Sequence, residues 1–145
     1  MRATAFILAL IIACGALRAD GPGEAGARKA AATFGSALTS GRAESLRPIL
    51  PQRGKVRLTL VRMGPEQGAF GAQQVEALFR DFLSGASVGA FSITRFESDG
   101  ASSALAHGKA AITDRDGRSE RIGVHLALAP EDGRWVLREV KESPE

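Results

Sequence analysis

The sequence contains no tyrosine, one cysteine, one tryptophan and two histidines. A single cysteine excludes an intrachain disulfide and any cluster of thiolate metal ligands. Two histidines on separate predicted strands, without a nearby carboxylate motif, do not indicate a metal site either. The sequence has no glycine-rich phosphate loop before a helix. We therefore expect no metal and no cofactor.

Without its N-terminal segment, the chain also has almost no net charge. The 145 residues carry a formal net charge of +3, but residues 1–19 include Arg2 and Arg18, and the remainder has 17 basic and 16 acidic residues, a net of +1. The basic residues are scattered, so we do not expect a nucleic-acid partner. With 44% hydrophobic and 24% charged residues, the chain is expected to form one globular domain.

Residues 1–19 have the pattern of an export signal. One positive charge, at Arg2, precedes an apolar stretch from Ala5 to Ala13, and small residues follow. This stretch is too short to cross a hydrocarbon core about 30 Å thick, and no later stretch reaches the ~20 apolar residues that a transmembrane helix needs. The sequence therefore predicts an exported protein in the periplasm, on the cell envelope or secreted.

Two processing sites compete within this segment. Ile11 to Cys14 resembles the lipobox of bacterial lipoproteins, although Ile12 stands where a small residue is usual. In that case residues 1–13 are removed and Cys14 carries the lipid, which is the only expected contact with a membrane. Alternatively, the small residues before Asp20 are a cleavage site that releases a soluble protein. The position of the only cysteine favours the lipoprotein, with residues 20–26 as a tether to a domain at 27–143.

Two helices are predicted at the start of this domain. Apolar residues at helical spacing run from Glu24 to Leu38, and Gly41 is expected to end the helix. A short helix follows between Ala43 and Leu50, limited to one or two turns by prolines 48 and 51.

A longer helix is predicted from Gly71 to Gly85, with five apolar residues on one face and Gly85 as its C-terminal stop. Glu76 and Arg80 lie four residues apart on the opposite face. We expect this pair to be solvent-exposed and to contribute only about 0.3 to 0.5 kcal/mol.

Alternation predicts five strands. One runs from Lys55 to Val61, and four more occupy the range from Ser87 to Lys141, separated by turns that contain Gly100, Gly117 and Gly133. Such short turns join antiparallel neighbours, so the four strands form a meander. Helices on one face of a curved antiparallel sheet make an α+β domain.

Alternation also predicts which way the side chains point. The third meander strand places four aliphatic residues on one face and His125 on the other, so His125 is expected to be peripheral. The fourth strand places Trp135 and Leu137 on one face and Val136 and Val140 on the other. An apolar second face suggests that two copies could form a homodimer through the open sheet.

Four segments resemble the nuclear-transport-factor-two-like superfamily, over the range from about Ala30 to Glu142. They are Phe34-x3-Leu38-x2-Gly41, Val56-x-Leu58-x-Leu60, Leu78-Phe79-x2-Phe82 and Asp132-Gly133-Arg134-Trp135-x-Leu137. Within that superfamily the chain is most similar to exported bacterial families of unknown function. The resemblance implies a cone in which a bent sheet wraps around two to three helices. It does not imply one activity, because this fold serves isomerases, dehydratases, hydrolases and non-catalytic binders.

In the enzymes of this superfamily, an Asp base with Tyr or His partners acts inside the open end of the cone. A pocket in this chain would be lined by apolar residues and one histidine: Phe79, Phe82, Phe91, Ile93, His107 and Trp135. The alternative is that these aromatic residues simply close the core.

Two functions are compatible with these observations. The export signal, together with the lack of a catalytic motif, favours a non-catalytic domain that binds a protein or a small ligand. The alternative is a small isomerase, dehydratase or hydrolase that uses His107 with a carboxylate such as Asp81. An open cavity in which both groups converge would favour the enzyme.

Overall fold

The computed structural model describes residues 23–145. The predicted export segment, Cys14 and the first part of the predicted tether lie outside these residues. The elements in chain order are helix α1 (Glu24–Ser40), a 3₁₀ helix (Ala43–Ile49), strands β1 (Val56–Thr59) and β2 (Gln67–Phe70), helix α2 (Ala72–Gly85), and strands β3 (Ala86–Ser98), β4 (Ala104–Asp114), β5 (Ser119–Glu131) and β6 (Arg134–Pro144).

The six strands form one open sheet in the order β2-β1-β6-β5-β4-β3. All neighbouring pairs are antiparallel except β1 and β6, which run parallel with Arg57 opposite Glu139. The helices pack against one face, called the inner face here, and the other is the outer face. The predicted α+β cone is confirmed, with the parallel pair as a departure from a purely antiparallel sheet.

The core lies between the helices and the inner face. Phe34 and Leu38 of α1 and Phe79 of α2 are fully buried there, together with the inner residues of β4, β5 and β6. Burying a side chain of this size contributes about 1.5 to 3 kcal/mol. Helix α1 contacts β3 most extensively, and α2 packs mainly on the 3₁₀ helix and β3.

The two predicted glycine stops behave differently. Gly41 has a left-handed φ of 69° and its amide bonds the carbonyl of Leu38, so the prediction for α1 is confirmed. The prediction that Gly85 ends α2 as a C-terminal stop of the same kind is wrong. Gly85 is the last helical residue, and the chain passes at Ala86 directly into the extended backbone of β3. Helix α2 and strand β3 are therefore joined without a loop.

Strand β2 was not expected, and it pairs with β1 from Val56 opposite Phe70 to Thr59 opposite Gln67. Its four residues contain Gly68 and Ala69 and only one large apolar residue. Alternation therefore gives no strand signal over this stretch, and the strand depends on its partner β1. The predicted strand from Lys55 to Val61 is present but shorter, at Val56–Thr59.

The four-strand meander is confirmed. Its three turns each place a glycine at positive φ, with 74° at Gly100 and 79° at both Gly117 and Gly133. The first strand is bent, because β3 has one extra residue between Gly89 and Ser92 and another between Ile93 and Arg95. Ala90 has a φ of 51° at the first of these bulges. Bulges of this kind increase the local twist and curve the sheet around the helices.

The predicted position of Val140 on the outer face is wrong. Leu128 of β5 lies opposite Leu137, while the preceding Ala127 lies opposite Glu139, so Arg138 is an extra residue in β6. This bulge shifts the alternation by one residue and turns Val140 to the inner face, opposite Leu126. Val136 and Val140 are both fully buried within the chain. The homodimer stays a prediction, but the two valines that suggested it are already covered.

Between residues 23 and 145, no helix is both long and apolar enough to cross a bilayer.

Candidate functional site

A cleft of about 670 Å³ opens at one end of the cone. It lies between the C-terminal end of α2, the hairpin that joins β4 to β5, and the loop after β1. The lining residues are Arg62, Phe82, Gly85, Ala86, Ile112, Asp114, Arg118, Ser119 and Glu120. We call this space the hairpin cleft.

The floor of the hairpin cleft is apolar because of the direct junction between α2 and β3. Phe82 reaches it from the last turn of α2, and Ala86 from the first residue of β3. Ile112 is on the inner face of β4 and almost completely buried. Gly85 and Ala86 at the junction have small or no side chains, which leaves space beside Phe82 and Ile112.

The rim of the cleft carries charged groups, most of which are already bonded. Arg62 forms an ion pair with Glu120, with 2.9 Å between Nε and Oε2. The Asp114 carboxylate accepts the backbone amides of Asp116 and Arg118 at 2.9 and 3.0 Å, which fixes the hairpin turn. Over residues 23–145, the guanidinium of Arg118 has no hydrogen bond or ion pair, and the residue is exposed.

Glu142 positions one wall of the cleft. This carboxylate is 6% exposed, and it accepts the backbone amides of Val61, Arg62 and Met63 at 2.8 to 3.0 Å. Because the loop after β1 is held at three amides, Arg62 is presented to Glu120 across the cleft. The sequence reasoning missed Glu142, since the bulge at Arg138 that turns it inward has no recognisable signal.

The six residues predicted to line one pocket are dispersed. Phe79 packs edge to face on Phe34, with ring centroids 5.8 Å apart, and Phe34 also meets Phe91 at 5.8 Å. Trp135 is 4% exposed in the core, with its indole nitrogen buried and unbonded within the described residues. Ile93 packs half-buried against the core. Phe82 alone of the six lies in the hairpin cleft.

His107, the last of these six, points away from the helices. It alternates with the buried Ala106 and the inner-facing Gly108 on β4, so its ring is on the outer face of the sheet. Asp81 is exposed on α2, which packs on the inner face. The sheet therefore separates the imidazole from the carboxylate with which it was expected to act.

The sheet register instead brings His107 to His125. The two residues are directly opposite on β4 and β5, and their rings meet edge to face with centroids 4.4 Å apart. His125 Nε2 is 3.1 Å from the Ser143 hydroxyl. Burial lowers the pKa of the His125 imidazole, and the charges of His107 and Lys141 lower it further. His125 is half-buried, in agreement with its predicted place at the periphery of the fold.

Glu76 corrects another expectation, because it is buried rather than solvent-exposed. It is 9% exposed and accepts hydrogen bonds from Arg47 on the 3₁₀ helix and from Arg80, the latter at 2.6 Å. The hydrogen bond from Arg47 holds the pKa of the Glu76 carboxyl below its ordinary value. This cluster borders a broad open groove of about 1100 Å³ at the start of α2. It links α2 to the 3₁₀ helix, so its evident role is structural.

A third buried carboxylate, Glu131, also holds the fold together. It accepts the backbone amide of Gln52 at 2.7 Å and a guanidinium nitrogen of Arg138 at 3.1 Å. The hydrogen bond from Gln52 keeps the pKa of Glu131 below its ordinary value.

Glu76, Glu131 and Glu142 are the buried charged residues of the described chain, and each has structural partners. No group of three or more His, Cys, Asp or Glu side chains in residues 23–145 is placed to hold a metal ion.

Comparison with known proteins identifies the fold. No protein-family model and no curated protein matches the sequence. Solved structures do match: a ketosteroid isomerase-like protein from Erwinia carotovora atroseptica has 16% identity and a TM-score of 0.66, with 83% of this chain and 94% of that chain covered. An LEH-like epoxide hydrolase from M. tuberculosis has 17% identity and a TM-score of 0.61, with 82% of each chain covered. A DUF4783 family protein from Bacteroides uniformis has 15% identity and a TM-score of 0.62, with 76% of this chain and 92% of that chain covered.

These likenesses confirm the predicted resemblance at the level of the fold. The chain has the nuclear-transport-factor-two-like fold, an α+β cone with an open six-stranded sheet. The neighbours include isomerase-like, hydrolase and DUF4783 proteins, and a fold of this kind does not specify one function.

Proposed function

We propose that this chain is an exported, non-catalytic domain that binds a small amphipathic molecule in the hairpin cleft. The apolar part of the ligand lies on the floor formed by Phe82, Ala86 and Ile112. A negatively charged head group pairs with Arg118 at the rim. The observation that carries the proposal is an open cleft with an apolar floor, at whose rim the Arg118 guanidinium has no hydrogen bond or ion pair among residues 23–145.

The size and lining of the cleft support a ligand site. Small-molecule sites usually have volumes of about 300 to 1,000 Å³, and they combine apolar walls with a few polar groups that orient the ligand. The hairpin cleft, at about 670 Å³, is within this range. The Glu142 carboxylate holds the loop that forms one wall, and the Arg62–Glu120 ion pair links this loop to β5. A preformed site of this kind costs little ordering on binding.

The chemistry of the cleft supports binding without catalysis. A general base needs a carboxylate or imidazole within hydrogen-bond reach of the substrate. Here Asp114 is committed to its own turn and Glu120 to Arg62. Both histidines of the chain lie on the outer face, on the other side of the sheet.

Export is proposed from the sequence of residues 1–19 alone. A charged start, a short apolar stretch and small residues before Asp20 together favour a segment that is removed on secretion. With Cys14 as the lipid-bearing residue, the cone would stand on the membrane at the end of a short tether.

Titration calorimetry with decanoate tests the proposed site, because this molecule combines an apolar chain with one carboxylate. We expect saturable binding that Arg118→Gln weakens by about fivefold, the size expected for one exposed ion pair of up to ~1 kcal/mol. Ala86→Phe, which places a ring in the cleft, should abolish binding. The matched control is Arg121→Gln on the outer face of β5, which should leave the affinity unchanged. Decanoate binding that is unaffected by both cleft variants, or no binding at all, would contradict the proposal.

A further inference from the structure

The chain has only two histidines, and the fold places them against each other. They are 18 residues apart in sequence and come together through the register of β4 and β5, where His107 is opposite His125. Directly opposed residues on antiparallel strands have Cβ atoms about 4.5 to 5.5 Å apart. Two side chains at this separation can reach one ion at the ~2.0 Å bond length of an imidazole nitrogen.

The pair borders a shallow groove of about 290 Å³ on the outer face, called the histidine groove here. Leu105, Ala127, Glu139, Lys141 and Ser143 complete its outer-face lining. Both histidines are half-buried, so solvent reaches their rings. Their backbones are held by the pairing of β4 with β5. In the part of the chain that the structure describes, neither ring nitrogen of His107 is hydrogen-bonded. Among residues 23–145, the one hydrogen-bond partner of the His125 ring is the Ser143 hydroxyl, at 3.1 Å from Nε2.

We infer that His107 and His125 form a two-imidazole site for a divalent transition-metal ion, of the kind that prefers nitrogen ligands. Cu²⁺ is the best candidate, because imidazole suits copper and because divalent metals bind nitrogen sites in an order that peaks at Cu²⁺. The rings now meet edge to face, and rotation about their side-chain bonds turns one nitrogen of each toward a shared ion. No third His, Cys, Asp or Glu of residues 23–145 completes the set, so water and the Ser143 hydroxyl take the remaining positions.

The charges around the groove set the strength of this site. Lys141 is opposite His125 on β6, and Arg95 is opposite His107 on β3. Arg95 is paired with Glu97, and Glu139 provides a carboxylate in the groove itself. Lys141 is exposed on a flexible stem, so it can turn away from a bound cation. We therefore expect a single site of moderate affinity. This inference does not depend on ligand binding in the hairpin cleft.

A titration with Cu²⁺ at pH 7.5 tests the site. It uses the tag-free protein, purified after expression of the full chain. We expect one Cu²⁺ per chain, with an electron paramagnetic resonance spectrum that shows nitrogen coordination. His107→Ala and His125→Ala should each weaken binding at least tenfold, and the double variant should lose the nitrogen signal. Arg121→Gln, on the same face of β5, is the matched control and should bind as the wild type does.

Circular dichroism of each variant shows whether the fold is kept, and His107→Gln provides a second, more conservative change at the same position. Equal Cu²⁺ affinity in the wild type and the double variant would overturn the inference. The absence of any saturable binding to the wild type would do the same.

Discussion

Phe91 packs against Gly35 of α1, with its ring in the space that a side chain at this position would occupy. A Cβ atom built on Gly35 would be 2.9 Å from Cε1 of the Phe91 ring and closer still to Cδ1. The same ring also meets Gly108 of β4, where a Cβ would be 3.0 Å from Cζ. The bulge at Ala90 turns Phe91 into this slot between two glycines. The curvature of the sheet is thus coupled to the close approach of α1.

Gly35→Ala should therefore destabilise the domain by overpacking, by about 1 to 3 kcal/mol. The intrinsic helix gain from alanine, about 1 kcal/mol, offsets part of this cost, so we expect a net loss of up to about 2 kcal/mol. Urea unfolding followed by tryptophan fluorescence measures this change cleanly, because Trp135 is the only tryptophan and the chain has no tyrosine. Gly89→Ala is the matched control, since its Cβ would point into open space. Equal stability of Gly35→Ala and the wild type would show that Phe91 moves away at little cost.

Glu142→Ala should lower stability by at least about 2 kcal/mol, because it leaves the amides of Val61, Arg62 and Met63 without their acceptor. It should also loosen the loop that presents Arg62 to the hairpin cleft. Hydrogen exchange at these three amides measures the second effect. Glu139→Gln, on the same strand, is the control and should change neither quantity. Unchanged protection of the three amides in Glu142→Ala would contradict the role given to this carboxylate.

Stability should fall as the medium becomes acidic, because the folded state holds the pKa values of Glu76 and Glu131 below their ordinary values. For a carboxyl with a depressed folded pKa, the stabilisation is complete above the unfolded value of about 4.3 and is lost as the pH falls through the folded value.

Glu131→Gln should accordingly be less stable than the wild type at pH 7, and the two proteins should converge as the pH falls below about 4. Thermal unfolding by circular dichroism across this range measures both. A constant difference between them at all pH values would mean that the charge of Glu131 contributes nothing.

Mass spectrometry of the protein from a bacterial host should show a diacylglyceryl group on Cys14 and loss of residues 1–13. Cys14→Ala has no thiol to carry the lipid, so it should either be cleaved at another position or keep residues 1–13. In both cases its mass should lack the diacylglyceryl group. A mature N-terminus at Asp20 would instead show that the small residues before it are the cleavage site and that the protein is released in soluble form.

The sequence predicted the elements whose patterns are local and strong. The apolar stripe of α2, the left-handed Gly41 and the turn glycines of the meander all have short-range signals, and each is present. Strand β2 has no such signal because its residues are small and it is held by pairing with β1. Features that depend on an irregular register, such as the inward turn of Val140 and Glu142, could not be predicted from alternation.

The candidate sites were the hardest part to predict. Alternation placed His125 at the periphery correctly, but nothing local shows that His107 lies opposite it, since that depends on the register of two strands. The hairpin cleft unites side chains from α2, β3, β4, β5 and the loop after β1. Arg62 and Arg118 have no pattern that marks them as members of one site. The pattern of α2 predicts an exposed Glu76. Its partner Arg47 belongs to the 3₁₀ helix, and the sequence of α2 gives no sign of that contact.

The most direct test of the account is a chemical-shift map of the ¹⁵N-labelled protein during titration with decanoate. We expect the largest shifts at Phe82, Ala86, Ile112 and Arg118, while the amides of the histidine groove stay unchanged. Shifts concentrated on the outer face of the sheet, or no saturable shifts, would contradict the assignment of the hairpin cleft as the binding site.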